Sequence, residues 1–293
     1  MEKQEMAKVS VIGLGMMGSS IAAAFLKSRA TVSVWNRDES KAAKIVELGA
    51  CVMATAEEAI LASPVTVICV SESSIAAKIL SGDGVLTSLK GKTIVQLSTG
   101  TPDQERKIQK LLINNGANSV NGAIMAWPGQ IGEAATTILV SCPQDIYNTH
   151  EPLLKALAGN LTYMGEEPGS SAALFAAVLS YLAGNWIGFC HGALVCKSEG
   201  LRVDDFGQLI QQISPILAHE SKNMGEVIQF GRFTNPESTV HTTGHDLDIL
   251  VAQARDRGIS VELPKFAADI FRRAIDAGFG GEEHAAIIKV MQP

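Results

Sequence analysis

The sequence predicts a doubly wound α/β domain followed by an all-helical one. An apolar run, residues 9–12, enters a helix through a G-x-G-x-x-G spacing at Gly13, Gly15 and Gly18. Short apolar runs then alternate with helical stretches as far as residue 164. Beyond Gly169 the strand signals stop, and helices punctuated by Gly200, Pro215, Gly231, Pro236, Gly258, Pro264 and Gly278 fill the remainder.

At the end of the first strand, Gly13 permits a tight turn and Gly15 lets the backbone approach a pyrophosphate. Gly18 lets the following helix, residues 19–28, pack closely on the strand. Gly13, Leu14, Gly15, Met16, Met17 and Gly18 thus form a phosphate cradle at the positive end of a helix, the mark of a Rossmann dinucleotide site. A second strand, residues 31–35, ends at Asn36 and Arg37, where the adenosine ribose would be met. An NAD site usually presents an acidic residue there. Asn36 does not repel a 2′-phosphate, and Arg37 offers a planar fork of donors, so NADPH is the expected cofactor. Asp38 opposes this unless it points outward or caps the next helix, and Lys41 compensates. The alternative is that Asn36, Arg37 and Asp38 form only a solvated turn.

Further strands are expected at residues 65–70, 91–97, 121–126, 137–141 and 161–164. Helices are expected at 102–115, opened by Thr101 before Pro102, and at 145–158. The alternation predicts a parallel sheet, with the cofactor across its carboxyl edge. Loops there bring Val70 and Ser71, then Ser98 and Thr99, then Met125 and Trp127 to the site floor. Thr99 is expected to touch the nicotinamide ribose or the substrate; Ser98 does the same or caps a helix. The dinucleotide domain is placed at residues 1–165 and the helical domain at 166–293.

With 293 residues, 46% hydrophobic and 18% charged, the chain can bury two cores, and disorder is not expected. A net charge of −6 with scattered Lys and Arg argues against nucleic acid or an anionic membrane as partner and leaves small molecules. The five cysteines, in mostly apolar runs without metal spacing, read as buried thiols of a reducing cytosol, and no metal site is expected. Residues 1–8 show no signal-peptide pattern, so a cytoplasmic location is expected. Residues 172–196 are nearly free of charge and long enough to span a bilayer. Asn185, His191, many small residues and the lack of flanking aromatic or basic belts predict instead a long helix buried by protein.

The fingerprint, Val34-Trp35-Asn36-Arg37, the Ser98-to-Pro102 loop, Gly122-Ala123-Ile124-Met125-Ala126 and the Gly169 helix together resemble the NADPH-dependent imine reductases and reductive aminases of the β-hydroxyacid dehydrogenase superfamily. The resemblance runs from about residue 8 to residue 291. It implies a Rossmann domain, a long interdomain helix and an all-helical C-terminal dimerisation domain that interlocks with its twin. Each active site would then combine one subunit's cofactor domain with the other's helices. The implied reaction is reduction of cyclic imines or iminium ions to amines, with reductive amination as an extension.

The chain departs from that pattern at two positions. Counting from Gly169, the position of the dehydrogenases' catalytic Lys, and of the imine reductases' usual Asp or Tyr, is Phe175, while a further Tyr of some reductive aminases aligns with Ala183. Hydroxyacid oxidation through a lysine is therefore not expected. An iminium substrate already carries its charge, so positioning and exclusion of water can carry much of the catalysis. Candidate proton donors are Tyr181 and Asn185 on the long helix, with His245 or His241 from a helix over residues 239–256. Each also reads as ordinary packing, and His191 as a core histidine. Trp127, Met125, Phe175 and Trp186 suit an apolar substrate pocket. Two other readings stay open: a carbonyl or semialdehyde reductase of the same superfamily, and an NADPH-binding sensor without turnover.

Overall fold

A computed structural model describes residues 8–82 and 84–292; residues 1–7, where no leader pattern is read, lie outside the described residues. The chain divides into two compact units, Met1–Ser180 and Tyr181–Pro293.

In chain order the first unit contains β1 (Lys8–Ile12), α1 (Met16–Lys27), β2 (Thr31–Trp35), α2 (Ala43–Glu47), β3 (Cys51–Val52), α3 (Ala56–Ala62), β4 (Val65–Ile68), α4 (Ser73–Leu80) and α5 (Val85–Ser88). It continues with β5 (Thr93–Gln96), α6 (Pro102–Asn114), β6 (Asn118–Met125), β7 (Thr137–Ser141), α7 (Gln144–Leu154) and β8 (Asn160–Tyr163). The sheet order is β3-β2-β1-β4-β5-β6-β7-β8. From β1 the chain builds outward through β2 to β3, then crosses back to β4 on the other side of β1. The strand order reverses between β1 and β4, and the carboxyl ends of strands at such a switch are where sheets of this kind bind ligands; the fingerprint lies there.

All residues of β4 and β5 are buried, as strands covered on both faces require. One face packs Val11, Ile21, Phe25, Val34 and Leu157. The other packs Ile60, Ile68, Leu80, Ile94 and Leu112. Thr101 and Gln104 close a reciprocal capping box at the start of α6, with Pro102 in the first turn, so the predicted helix start is found.

The sheet departs from the all-parallel expectation at one pair. β6 and β7 run antiparallel, with Asn121 opposite Ser141 and Met125 opposite Thr137. Their connection holds only a short 3-10 turn at Pro128–Gln130, and a parallel crossover needs a dozen residues or more. β8 then returns parallel to β7. α1 also starts earlier than expected, at Met16, because the turn after Gly13 leads directly into helix.

α8 (Gly169–Ser198) runs from the first unit into the second, followed by α9 (Val203–Phe230), α10 (Val240–Asp256) and α11 (Glu262–Ala274). Val240, Phe271, Ala274 and Ala286 form the small core of the second unit. Pro215 does not divide a helix as expected: it lies inside α9. Proline removes the amide that would bond to the carbonyl of Gln211, and the Ser214 hydroxyl donates to that carbonyl instead, at 2.8 Å. Gly231, with φ 64°, ends α9 in the left-handed conformation.

Two burial expectations need correction. α8 is long and apolar enough to cross a membrane by length and composition, yet none of its most apolar window is buried within the chain. Small residues leave little side chain to pack, and Leu174, Leu179, Ile187 and Leu194 are exposed. The cysteines are free, but Cys51 and Cys190 are exposed and Cys196 is partly so, because Cys51 sits on a short edge strand and Cys190 on the uncovered α8.

Candidate active site

The fingerprint folds as its glycines require. Gly13 has φ +96°, and a Cβ there would collide with the Cys69 carbonyl oxygen. A Cβ on Gly18 would collide with the Gly13 carbonyl oxygen, so this glycine seats α1 on the turn. Gly15 differs: no atom lies within 4 Å of where its Cβ would be. Its backbone borders open space, and as N-cap of α1 it supplies no side-chain cap to the first-turn amides. Exposed amides, a positive helix end and room for a close approach together fit a dinucleotide pyrophosphate.

The tip of β2 is tied to this turn. Asn36 Oδ1 accepts from the Leu14 amide at 2.9 Å, and Asn36 Nδ2 donates to the Asp38 carbonyl at 2.8 Å. The Leu14 amide is thereby committed to Asn36, which leaves Gly15, Met16 and Met17 to face an anion. Asp38 caps the 3-10 turn Glu39–Ala42, accepting from the Ser40 hydroxyl and amide. Those two bonds, ahead of the neighbouring Lys41 and Arg37 charges, hold its carboxyl below the usual carboxylate range. The acid is thus occupied as a cap. Arg37 and Lys41 are exposed beside it.

At the next loops, the Val70 amide donates to the Ser98 hydroxyl at 3.0 Å, joining the ends of β4 and β5. Ser98 is buried, whereas Thr99 and Ser71 are exposed. The Thr99 carbonyl accepts from the Ser73 amide at 2.8 Å. Beneath this loop lies a polar cluster that sequence reasoning missed. The buried Glu105 carboxyl accepts from the Ser73 hydroxyl, from Gln96 Nε2 at 3.4 Å and from Asn121 Nδ2 at 2.5 Å. Burial raises its pKa above the ordinary glutamate value, against the lowering effect of the Ser73 and Gln96 bonds. Its signal in the sequence is one acid on the same buried face of α6 as Ile108 and Leu112. Cys69, beside the fingerprint, is no nucleophile at neutral pH, since burial pushes its thiol up to about 12.

The other candidates divide between the units. Met125 is half-buried and Trp127 is 64% exposed, both at the end of β6, and Phe175 is half-buried on the first turns of α8. Tyr181, Asn185 and Trp186 lie on the part of α8 in the second unit, all exposed. His191 is buried, with Nε2 3.1 Å from the Ser260 carbonyl, a core histidine as expected. His241 and His245 share a cleft of the second unit with Asp248 and Arg272. Arg272 bonds Asp248 and Asp269 at 3.0 Å each.

Comparisons with known proteins agree over both units. Residues 8–165 match the NAD binding domain of 6-phosphogluconate dehydrogenase, and residues 167–293 match the C-terminal domain of NADPH-dependent reductive aminase-like proteins. An NADPH-dependent reductive aminase of Aspergillus oryzae is 28% identical over 285 residues, covering 96% of each chain. An imine reductase structure from Pseudomonas sp. superposes with a TM-score of 0.92 at 30% identity, over 98% of this chain and all of that one. A reductive aminase from Aspergillus terreus, solved with NADPH4, cyclohexanone and allyl amine, gives 0.91 at 31% identity, over 98% and 100% of the two chains. The chain therefore belongs to the imine reductase and reductive aminase family, with the nucleotide-binding domain of the 6-phosphogluconate dehydrogenases at its N-terminus.

Proposed function

We propose that this protein is an NADPH-dependent oxidoreductase that reduces cyclic imines or iminium ions to amines, with coupling of ketone and amine as an extension of the same reaction. The observation that carries the reading is the open, glycine-bordered start of α1 beside exposed Arg37, in a chain that joins an NAD binding domain to a reductive aminase-like C-terminal domain. Gly13, Gly15, Gly18 and the Met16 and Met17 amides hold the pyrophosphate, and Leu14 braces Asn36 behind them. Arg37 and Lys41 hold the 2′-phosphate. Val70, Ser71, Ser98 and Thr99 line the nicotinamide end. Bound NADPH supplies the hydride. Met125, Trp127, Phe175 and Trp186 exclude water and hold the substrate, and Tyr181, Asn185 or His245 places the proton on nitrogen.

Phe175 offers neither acid nor amine, so the reading favours substrates that arrive as iminium ions. The exposed apolar side of α8 supports a homodimer with interlocked helical domains in which residues 1–165 bind cofactor and residues 166–293 dimerise and shape the substrate site. A cytoplasmic location accords with the free cysteines. NADPH absorbance followed with cyclic imines, and with semialdehydes in parallel, tests the assignment. Imine turnover is expected. Carbonyl turnover alone would identify a carbonyl reductase, and NADPH binding without turnover a sensor. Arg37→Ala should raise KM for NADPH about 10- to 100-fold and leave NADH nearly unchanged; equal losses would overturn the phosphate assignment.

A further inference from the structure

Outside the cofactor and substrate regions, the second unit gathers three metal-ligating side chains that no step above uses. Glu220 projects from α9, and Glu283 and His284 stand where the C-terminal 3-10 segment His284–Val290 begins. One ligand atom from each of the three lies within 4.8 Å of the others. His284 Nδ1 is 2.6 Å from Glu283 Oε1, and Nε2 is 3.1 Å from Glu220 Oε1. At that range a histidinium clamped by two carboxylates would donate along both N–H directions. Instead, His284 Nδ1 and Glu220 Oε1 are buried without a hydrogen-bond partner. Among the described residues neither Glu220 nor Glu283 pairs with a lysine or arginine. Ligand atoms of two carboxylates and an imidazole therefore lie together, and two of them, His284 Nδ1 and Glu220 Oε1, have no hydrogen-bond partner.

The ligands on the C-terminal side are held in advance. Glu283 is buried, its Oε1 accepts from the His284 amide at 3.1 Å and its Oε2 from the Glu237 amide at 3.3 Å. Its own amide bonds the Phe233 carbonyl at 2.9 Å. Such outer contacts orient metal ligands. A first-row cation with bonds of about 2.0–2.2 Å needs ligand atoms about 3.0–3.5 Å apart. The half-exposed Glu220 side chain has the freedom to draw in by that amount.

We propose that Glu220, Glu283 and His284 bind a divalent cation of the zinc class, one imidazole nitrogen and two carboxylate oxygens completed by water. The cation ties the middle of α9 to the C-terminal segment, so its effect is on the stability of the helical unit. Sequence spacing conceals the site, because Glu220 lies far from the adjacent pair in the chain.

The test uses the full chain, stripped with chelator and titrated with Zn2+ in a calorimeter and a thermal melt, with Co2+ as a spectroscopic probe. The expected result is one site per chain, a Tm rise of about 5 °C or more at ~100 times Kd, and visible Co2+ ligand-field bands. Glu220→Gln, at a half-exposed position, should keep the helical circular dichroism while weakening Zn2+ at least about tenfold, and His284→Gln should do likewise. No binding to the wild-type chain would establish the histidinium clamp instead. Equal binding by wild type and both variants would place the metal elsewhere, and either result overturns the proposal.

Discussion

Glu105 shows how one residue shapes the site without facing it. Its carboxyl holds Ser73, whose amide fixes the Thr99 carbonyl, and Asn121 at the other side of the cluster. Because burial raises its folded-state pKa above the ordinary 4.5, its contribution to stability is fully present below that value and is lost as pH rises through the raised one. Glu105→Gln should therefore remove part of the fall in Tm that wild type shows from pH 4.5 upward. The Asn121 Oδ1, buried without a donor, accepts from the new amide once the Asn121 side chain flips. Parallel Tm curves for the two proteins across pH 4.5–8 would contradict this. Glu105→Ala should cost about 2–4 kcal/mol in a denaturant titration, since it leaves several buried polar groups unpaired. Residue types alone marked the turn glycines, whose tight packing at Gly13 and Gly18 the structure shows, and proposed Arg37 for the phosphate. They were silent on Glu105, whose role depends on which face of α6 meets the sheet.

The turn between β1 and α1 separates two demands on glycine. Gly18 is required by packing, whereas Gly15 borders open space and, in the proposed reading, lets the cofactor approach the backbone. Gly18→Ala should lower Tm by several degrees through its collision with the Gly13 carbonyl. Gly15→Ala should leave Tm within about 1 °C, since its Cβ enters open space, yet weaken NADPH at least about tenfold in a fluorescence titration. Loss of both properties in both variants would mean that Gly15 is structural. Strands β1, β2, β4 and β5 were legible because a parallel sheet covered on both faces needs continuous apolar runs. The direction of β7 was not: composition is the same for either direction, and only the shortness of its connection to β6 decides it. Pro215 misled for a local reason, since the Ser214 hydroxyl serves the carbonyl that proline leaves without an amide.

At the scale of the whole molecule, α8 leaves an apolar face that the chain does not cover. Trp186 is 44% exposed and Ile187 57%, an arrangement water disfavours by about 1.5–3 kcal/mol for each side chain buried instead. A homodimer that covers this face should elute and scatter as twice the 31.0 kDa chain, and Ile187→Glu should shift it to monomer with loss of turnover. A monomeric wild-type protein would contradict the dimer. The two-part plan was visible where strand signals stop after Gly169. The exposure of α8 was not, because apolar composition is identical whether a helix is covered by its own chain or by a second one.

Hydride delivery to carbon of a C=N bond is tested most directly by isotope. With NADPH deuterated at the transferable C4 position and a cyclic imine, the amine product should carry one deuterium at the former imine carbon, read by mass spectrometry and NMR. NADPH bound by the protein, with no deuterated amine formed from any imine or iminium substrate, would contradict the assignment and leave Phe175 as the mark of a site that binds without catalysis.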